Sequence, residues 1–524
     1  MWLSWQNDVS LSSSEGRTIV AGPGARIALR PLAPEILAAL ERLTPPGEAE
    51  DRLEESILAA GNVDSLARWF YHVDQLRQRG LVCRSLRADG ILTASLVPLC
   101  RSRASAARGV SVEGRSATGD HRERAWRSGD GNGNGGTSYV LSRFAYLRRE
   151  GRELVLESPL AHARVILHDA RAIAVIGALA GPATVSDLAE WLSEMATATL
   201  SALVTLLVDA GMVDQMGPDA TRFHEESGRF ASDESRSIPS DFLRSESNSD
   251  GNPALDPALD TWEFHDLLFH SRSRRGRSDG RFGGTYRLAH RPPPPALKTN
   301  AAQTGVELFR PELEQLERDD PPLARVQERR RSVRRYGKVP MTAKQLGEFL
   351  YRVGRVKKHW QSEAQTPSGP VSMDFTARPY PAAGGMNELE FYAAVRACGD
   401  LEQGLYHYDP EQHRLARISG PTSDHAALLD DAALSAGIAS DTLQVLIILT
   451  ARFERIAWKY ESIAYSLILK DVGVVYQTMY LAATAMELAP CALGCGDSDL
   501  FARAAETDYF VETSVGEFLL GSIE

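Results

Sequence analysis

The chain has 524 residues, of which 43% are hydrophobic and 24% charged, with a net charge of −11 and five cysteines. That length exceeds one hydrophobic core and points to several domains. The acidic balance excludes general binding to nucleic acid or anionic membrane, and an odd, sparse set of cysteines excludes a disulfide framework and fits a reducing, cytoplasmic compartment.

The opening Met1-Trp2-Leu3-Ser4-Trp5 lacks the basic start and apolar core of a secretion signal. Within residues 1–100, Thr18–Val20 and Arg26–Leu29 read as strands. Ala33–Leu43 follows as a helix with Pro34 near its start and Ile36, Leu37, Leu40 and Leu43 at helical spacing. Asp64–Arg79 is a second helix, stopped by Gly80 before the strand-like Leu81-Val82-Cys83. Residues 101–137 are Arg-, Ser- and Gly-rich and read as a flexible linker.

Residues 138–216 repeat the plan. Glu153–Glu157 and Arg164–His168 are strands, Ala170–Leu179 is a helix, and Ala198–Ala210 is a helix closed by Gly211-Met212-Val213. The segments 25–43 and 163–181, and 65–82 and 197–213, share one pattern, which predicts two winged-helix-like repeats. Their functional reading is capture of a peptide along a strand edge; neither helix carries the Arg/Lys face that DNA requires. Residues 217–300 read as a connector, partly disordered and strapped on the next domain, with a polar stretch at 235–252 and an aromatic, His-bearing one at 261–270.

From 301 to 524 the pattern predicts one α+β domain: an antiparallel-rich central sheet flanked by helices. Arg329-Arg330-Arg331-Ser332-Val333-Arg334-Arg335 is a basic loop after a helix, suited to grip a phosphate through guanidinium forks and a hydroxyl. Thr342 caps the next helix. Pro381-Ala382-Ala383-Gly384 is a small-residue turn that a planar ligand can approach closely. Glu390–Val395, Gly404–Tyr408 and Val445–Thr450 read as strands. Trp458-Lys459-Tyr460-Glu461 then precedes the apolar run Val472–Met486. That run is too short to cross a bilayer, so it reads as a core helix ending in Leu493-Gly494-Cys495-Gly496. Cys491 and Cys495 read as small packing residues, and no His/Cys set at metal-ligand spacing suggests a metal.

These motifs, in this order and together with Arg378-Pro379, Asp471-Val472-Gly473 and Gln477, resemble the flavin-dependent nitroreductase fold. More narrowly, they are similar to the SagB-type azoline dehydrogenases, including the cyanobactin oxidases, over about residues 138–524. The resemblance implies FMN, a homodimer with flavins at the subunit interface, a modified precursor peptide as substrate, and a cyclodehydratase complex as a candidate assembly partner. Arg330, Arg331, Ser332 and Arg334 would hold the phosphate. Pro381, Ala382, Ala383 and Gly384 would line the flavin ring, with Gln477, Leu493, Gly494 and Gly496 completing the site. Ala382 stands where a serine is common, and Ser514–Phe518 lacks a phosphate-binding arginine, so the Arg330 loop carries more of that task. The Lys459-Tyr460 pair would be catalytic.

Aromatising a thiazoline or oxazoline removes one proton and one hydride, and a free Lys or Tyr titrates too high to take the proton at neutral pH. Burial would depress Lys459, and a neighbouring cation would depress Tyr460. Because adjacent residues diverge on a regular helix, the backbone at 458–460 should be irregular. Two other functions compete: an NAD(P)H-dependent nitroreductase or quinone reductase, and a non-catalytic peptide-binding scaffold. The first does not need roughly 300 residues of N-terminal attachment; the second has no use for Lys459-Tyr460.

Overall fold

The computed structural model describes residues 1–14, 17–22, 25–29, 31–99, 137–216, 257–277, 280–298 and 305–524. The expected linker over 101–136 and the polar stretch 235–252 lie outside the described residues. The chain divides into two compact units, Met1–Gly280 and Arg281–Glu524.

In the first unit one plan occurs twice. β1 (Trp2–Trp5) precedes an antiparallel meander of β2 (Ser10–Ser14), β3 (Arg17–Gly22) and β4 (Ala25–Leu29). Helix α1 (Pro34–Glu41), the short β5 (Glu48–Ala49), α2 (Glu50–Ala60) and α3 (Val63–Gln78) follow, and β6 (Val82–Ala88) returns to pair with β1. After the hairpin partner β7 (Ile91–Pro98), the second copy opens with β8 (Ser138–Leu141) and a meander of β9 (Tyr146–Glu150), β10 (Glu153–Glu157) and β11 (Ala163–Leu167). It continues through α4 (Ala170–Ala178), α5 (Val185–Trp191) and α6 (Thr197–Asp209), and β12 (Val213–Met216) pairs with β8. Gly80 and Gly211 follow the last helix of each copy with φ of +71° and +70°, the left-handed turn that lets the chain reverse into a strand without a Cβ clash.

The copies are not separate beads. β7 pairs with both β6 and β11, giving one seven-stranded sheet in the order β5-β1-β6-β7-β11-β10-β9. Leu86, Ala94 and Leu96 of the first copy accordingly share a core with Leu156, Val175, Leu203 and Leu207 of the second.

The boundary at Gly280 falls within the segment 217–300 read as a connector. Its described first part, with α7 (Phe264–Arg272), belongs to the first unit, where Arg143 Nη2 donates to Leu259 O (2.7 Å) and Arg277 Nη1 to Leu160 O (2.8 Å). The second unit starts before 301, because β13 (Gly283–Gly284) adds a two-residue strand to β21 (Tyr460–Glu461).

The second unit holds an all-antiparallel seven-stranded sheet. Its strands are β14 (Gly305–Glu307), β17 (Leu389–Val395), β18 (Gly404–Asp409), β19 (Arg414–Ser419), β20 (Val445–Arg452), β22 (Leu488–Ala492) and β23 (Glu512–Ser522), in the order β14-β19-β18-β17-β20-β23-β22. Every residue of β17 is buried, because helices cover both faces. On one side Leu389, Phe391 and Ala393 meet α10 (Ala343–Gly354) and the 22-residue α13 (Ala464–Ala485) through Phe349, Leu350, Val472, Val475 and Met479. On the other, Tyr392 and Ala394 meet α11 (Ser423–Ala436) and α14 (Ser498–Ala505) through Leu428, Leu429, Leu500 and Phe501. Thr342 caps α10 through a capping box with Gln345.

The basic loop follows α9 (Leu323–Arg329), itself preceded by α8 (Leu313–Asp319). The 378–385 segment follows a hairpin of two nine-residue strands, β15 (Lys358–Thr366) and β16 (Gly369–Ala377). β15 is largely exposed on both faces, so its sequence carries no alternation to read.

Candidate active site

The backbone is irregular where Lys459 and Tyr460 sit. α12 (Phe453–Ala457) ends, Trp458 and Lys459 turn, and Tyr460 enters β21, followed by Ser462 at φ +65°. Trp458 anchors this corner. It is fully buried, its Nε1 donates to Arg291 O at 3.0 Å, and its ring meets Tyr286 edge-on at 5.7 Å.

The corner places both side chains of the pair against one turn. A Cβ on Gly384 would collide with Tyr460 Oη and lie 2.6 Å from Lys459 Nζ. Gly384 itself has φ +57°, and Gly385 and Asn387 in the same turn are also left-handed. The turn is fixed from behind by α13, where Asp471 Oδ2 accepts the Ala383 N–H at 2.8 Å. Thus Gly384 meets Lys459 and Tyr460, Ala382 and Ala383 are half-buried beside it, and Pro381 and Gly384 remain exposed at the rim of the turn.

Burial lowers the pKa of Lys459, with its Nζ 5.3 Å from the Tyr460 ring centre and 5.9 Å from that of Tyr286. The expectation for Tyr460 is reversed. Burial first, then Tyr286, Asp471 and Glu388, raise its pKa, since a buried phenol is held in its uncharged form. Tyr460 is therefore a neutral O–H donor, and Lys459 is the group driven towards its free-base form.

The basic loop forms a second cluster around the far half of α13. Ser332 Oγ lies 2.7 Å from Tyr480 Oη, which also accepts the Ala492 N–H at 2.9 Å; Arg330 stacks on the Tyr480 ring, and Val333 N donates to Pro490 O at 2.8 Å. Arg331, Ser332 and Arg334 are exposed. Among the described residues no carboxylate forms an ion pair with Arg330, Arg331 or Arg334, whereas Arg329 reaches Glu487 at 3.7 Å. β22, held to this loop, leads directly into Leu493, Gly494 and Gly496. Leu493 is buried, both glycines are exposed, and a Cβ at Gly496 would collide with the Glu517 carboxyl. Gln477 is exposed on α13 between the two clusters. Asp471 and Tyr480, which anchor them, are nine residues apart, about 13 Å along the helix axis.

Several site-forming residues escaped the sequence reading. Tyr286, whose N–H donates to Lys459 O at 3.0 Å, lies 173 positions before Lys459 and has no neighbouring motif. Arg455 is fully buried, with Nε donating to Met386 O at 2.7 Å and its Nη atoms to Pro294 O and Asp374 O, tying α12 to the strap, the turn and the hairpin. Glu388 is fully buried beside Asp471. An ionisable residue next to a hydrophobic strand was the only signal for Glu388.

Three family models match in succession: the ThcOx helix-turn-helix domain over residues 1–104, the cyanobactin oxidase ThcOx over 139–279, and the nitroreductase family over 328–520. MJ1384 of Methanocaldococcus jannaschii, which carries a nitroreductase name, is 28% identical over 36% of this chain and 84% of its own length. The trifolitoxin-processing protein TfxB of Rhizobium leguminosarum bv. trifolii is 27% identical over 27% of this chain and 38% of its own length. Among solved structures, a chain of the E. coli microcin synthetase McbBCD complex with truncated pro-MccB17 bound is 15% identical, covers 43% of this chain and 78% of that one, and has a TM-score of 0.31. The second unit thus matches the nitroreductase family over 328–520, the first matches the two ThcOx models, and these matches mark the chain as an oxidoreductase.

Proposed function

We propose that this oxidoreductase is an FMN-dependent dehydrogenase that converts thiazoline or oxazoline rings of a ribosomally made, modified peptide into thiazoles or oxazoles. The observation that carries the reading is the meeting of a base driven towards neutrality, Lys459, and a phenol, Tyr460, against a glycine turn where any side chain would displace them.

The residues present fit FMN. Three arginines without a carboxylate partner suit a phosphate, and Ser332 adds a hydroxyl. A Cβ at Gly384 would collide with Tyr460 and Lys459, so the turn must stay bare to seat the pair, and nothing lies within 4 Å of a Cβ at Gly494, which leaves open space there. Arg330, Arg331, Ser332 and Arg334 would hold the phosphate end; Pro381, Ala382, Ala383, Gly384, Gln477, Leu493, Gly494 and Gly496 would line the rest. When bound, FMN supplies a hydride acceptor. The chain's own part is proton chemistry. Lys459 Nζ takes the ring's α-proton, helped by burial that disfavours its charged form. Tyr460 Oη donates a hydrogen bond that holds the ring at Lys459. Trp458, Tyr286 and Arg455 keep both in register.

The likeness of residues 139–279 to cyanobactin oxidase, and the peptide-processing name of TfxB, support a modified peptide as substrate. A homodimer is supported by the exposed apolar side chains Tyr465, Leu469 and Val474 along α13. A cyclodehydratase complex is the proposed source of the azoline.

The test is mass spectrometry of an azoline-bearing peptide incubated with the FMN-loaded protein. The expected result is a loss of about 2 Da per ring, two hydrogens leaving with each. An unchanged peptide, with rapid bleaching of the flavin by NADPH alone, would instead identify a nitro- or quinone reductase.

A further inference from the structure

Glu388 is 0% exposed, and among the described residues neither of its carboxyl oxygens meets a hydrogen-bond donor. Its nearby partner is another acceptor, the Asp471 carboxylate, which is also buried and already accepts the Ala383 N–H. The surrounding cations do not neutralise it. Arg455 spends its Nε and both Nη atoms on the carbonyls of Met386, Pro294 and Asp374. Arg378 spends Nε on Thr376 Oγ1 and Nη1 on Gly354 O. The other titratable groups facing the pair are Tyr380, Tyr460, Glu390 and, on α13, Lys470. Two buried carboxylates side by side without donors would strand two charges. One proton resolves this: a neutral Glu388 becomes the donor that Asp471 faces.

We propose that Glu388 is a neutral carboxylic acid donating to Asp471, and that this one-proton pair is a positioning device holding the Ala383–Gly385 turn against Tyr460 and Lys459. Burial and then the charge of Asp471 push Glu388 towards its protonated form, in agreement. The pair matters because the turn does not fix itself. Gly384 and Gly385 adopt positive φ freely and Asn387 does so at small cost, so the backbone alone selects no single shape and its surroundings must. Asp471 imposes it by one charge-assisted bond. Ionisation of Glu388 would put a second negative charge beside Asp471 and Tyr460, and the repulsion would push the Asp471 carboxylate away from the Ala383 N–H. The catalytic consequence rests on the function proposed above, whereas the protonation state does not.

Two measurements on the apoprotein test the proton. The infrared difference spectrum between wild type and Glu388→Gln at neutral pH should contain the carbonyl stretch of a protonated carboxylic acid. Linkage supplies the second. A carboxyl whose folded pKa lies above its unfolded one binds its proton more tightly when folded, so its stabilisation is full at about pH 4 and falls as pH rises from there. The melting temperature of wild type should therefore fall more steeply above about pH 5 than that of Glu388→Gln. Absence of the infrared band, or parallel melting curves, would overturn the proposal.

Positioning is read in turnover of the FMN-loaded protein. Glu388→Ala should lower kcat by about 100-fold with KM changed less than about twofold, the scale expected for a misplaced reacting group. Glu388→Gln, whose amide still donates to Asp471, should recover most of that loss, and equal kcat in Glu388→Ala and wild type would overturn the role. Should Glu388→Ala fail to fold, Asp471→Asn decides the point: it removes the neighbouring charge and should make the infrared band disappear at lower pH than in wild type. An unmoved band would overturn the pairing. A wild type inert towards azolines would count against the function alone, since the infrared and melting results still decide the pair.

Discussion

Lys459 and Tyr460 are neighbours in sequence with opposite electrostatic fates. Both are about half-buried, but burial disfavours charge, so it lowers the lysine and raises the tyrosine. Only Lys459 becomes a better base. Lys459→Ala with flavin retained should abolish turnover, and Tyr460→Phe should reduce it by at least about 100-fold. The wild-type kcat should rise with pH through a group titrating below an ordinary lysine, since the base works deprotonated; a pH–rate profile checks this. Gly384 is the second sensitive position. Gly384→Ala places a methyl group on Tyr460 Oη and strains a left-handed residue, so kcat should fall by about 10-fold or more while the circular dichroism spectrum is unchanged.

At the scale of elements, the site depends on short, irregular pieces clamped to long regular ones. α12 has five residues and β21 two, too few to hold a shape alone. Their geometry comes from β13 pairing with β21, from Thr285 Oγ1 donating to Glu461 at 2.7 Å, and from Arg455. Arg455 lies in low-dielectric surroundings that lower its pKa to about 10, yet it is satisfied by three carbonyls. Arg455→Ala strands those acceptors and should cost about 3 kcal/mol or more, read as a shift of the urea midpoint.

At the scale of the whole molecule, α13 links the parts of the site. Its Asp471 holds the turn, its Tyr480 holds the basic loop, and along its length Tyr465, Leu469 and Val474 are exposed. Arg334→Ala should weaken FMN binding by about 10-fold and reduce its salt dependence, measured by quenching of flavin fluorescence on titration into the apoprotein. Leu469→Glu should shift sedimentation from dimer towards monomer and release flavin in parallel, if the two are coupled as proposed.

Some of this was legible in the residues themselves. The central strands showed as β-branched and aromatic runs, the long helix as an apolar stretch, and both copies in the first unit as a helix-Gly-strand pattern, because burial and backbone conformation impose those residue types locally. The basic loop and the Lys-Tyr pair stood out for the same reason: charge placed where a core cannot take it. Chain order could not show that β7 would join the two copies in one sheet, or that Tyr286 would meet Trp458 edge-on, because pairing between distant segments leaves no mark on either alone. Nor could it give the sign of the Tyr460 shift. The composition decided which residues carry charge and which are apolar; only the tertiary structure decided which charges face each other. A pKa depends on distance and burial, and folding sets both.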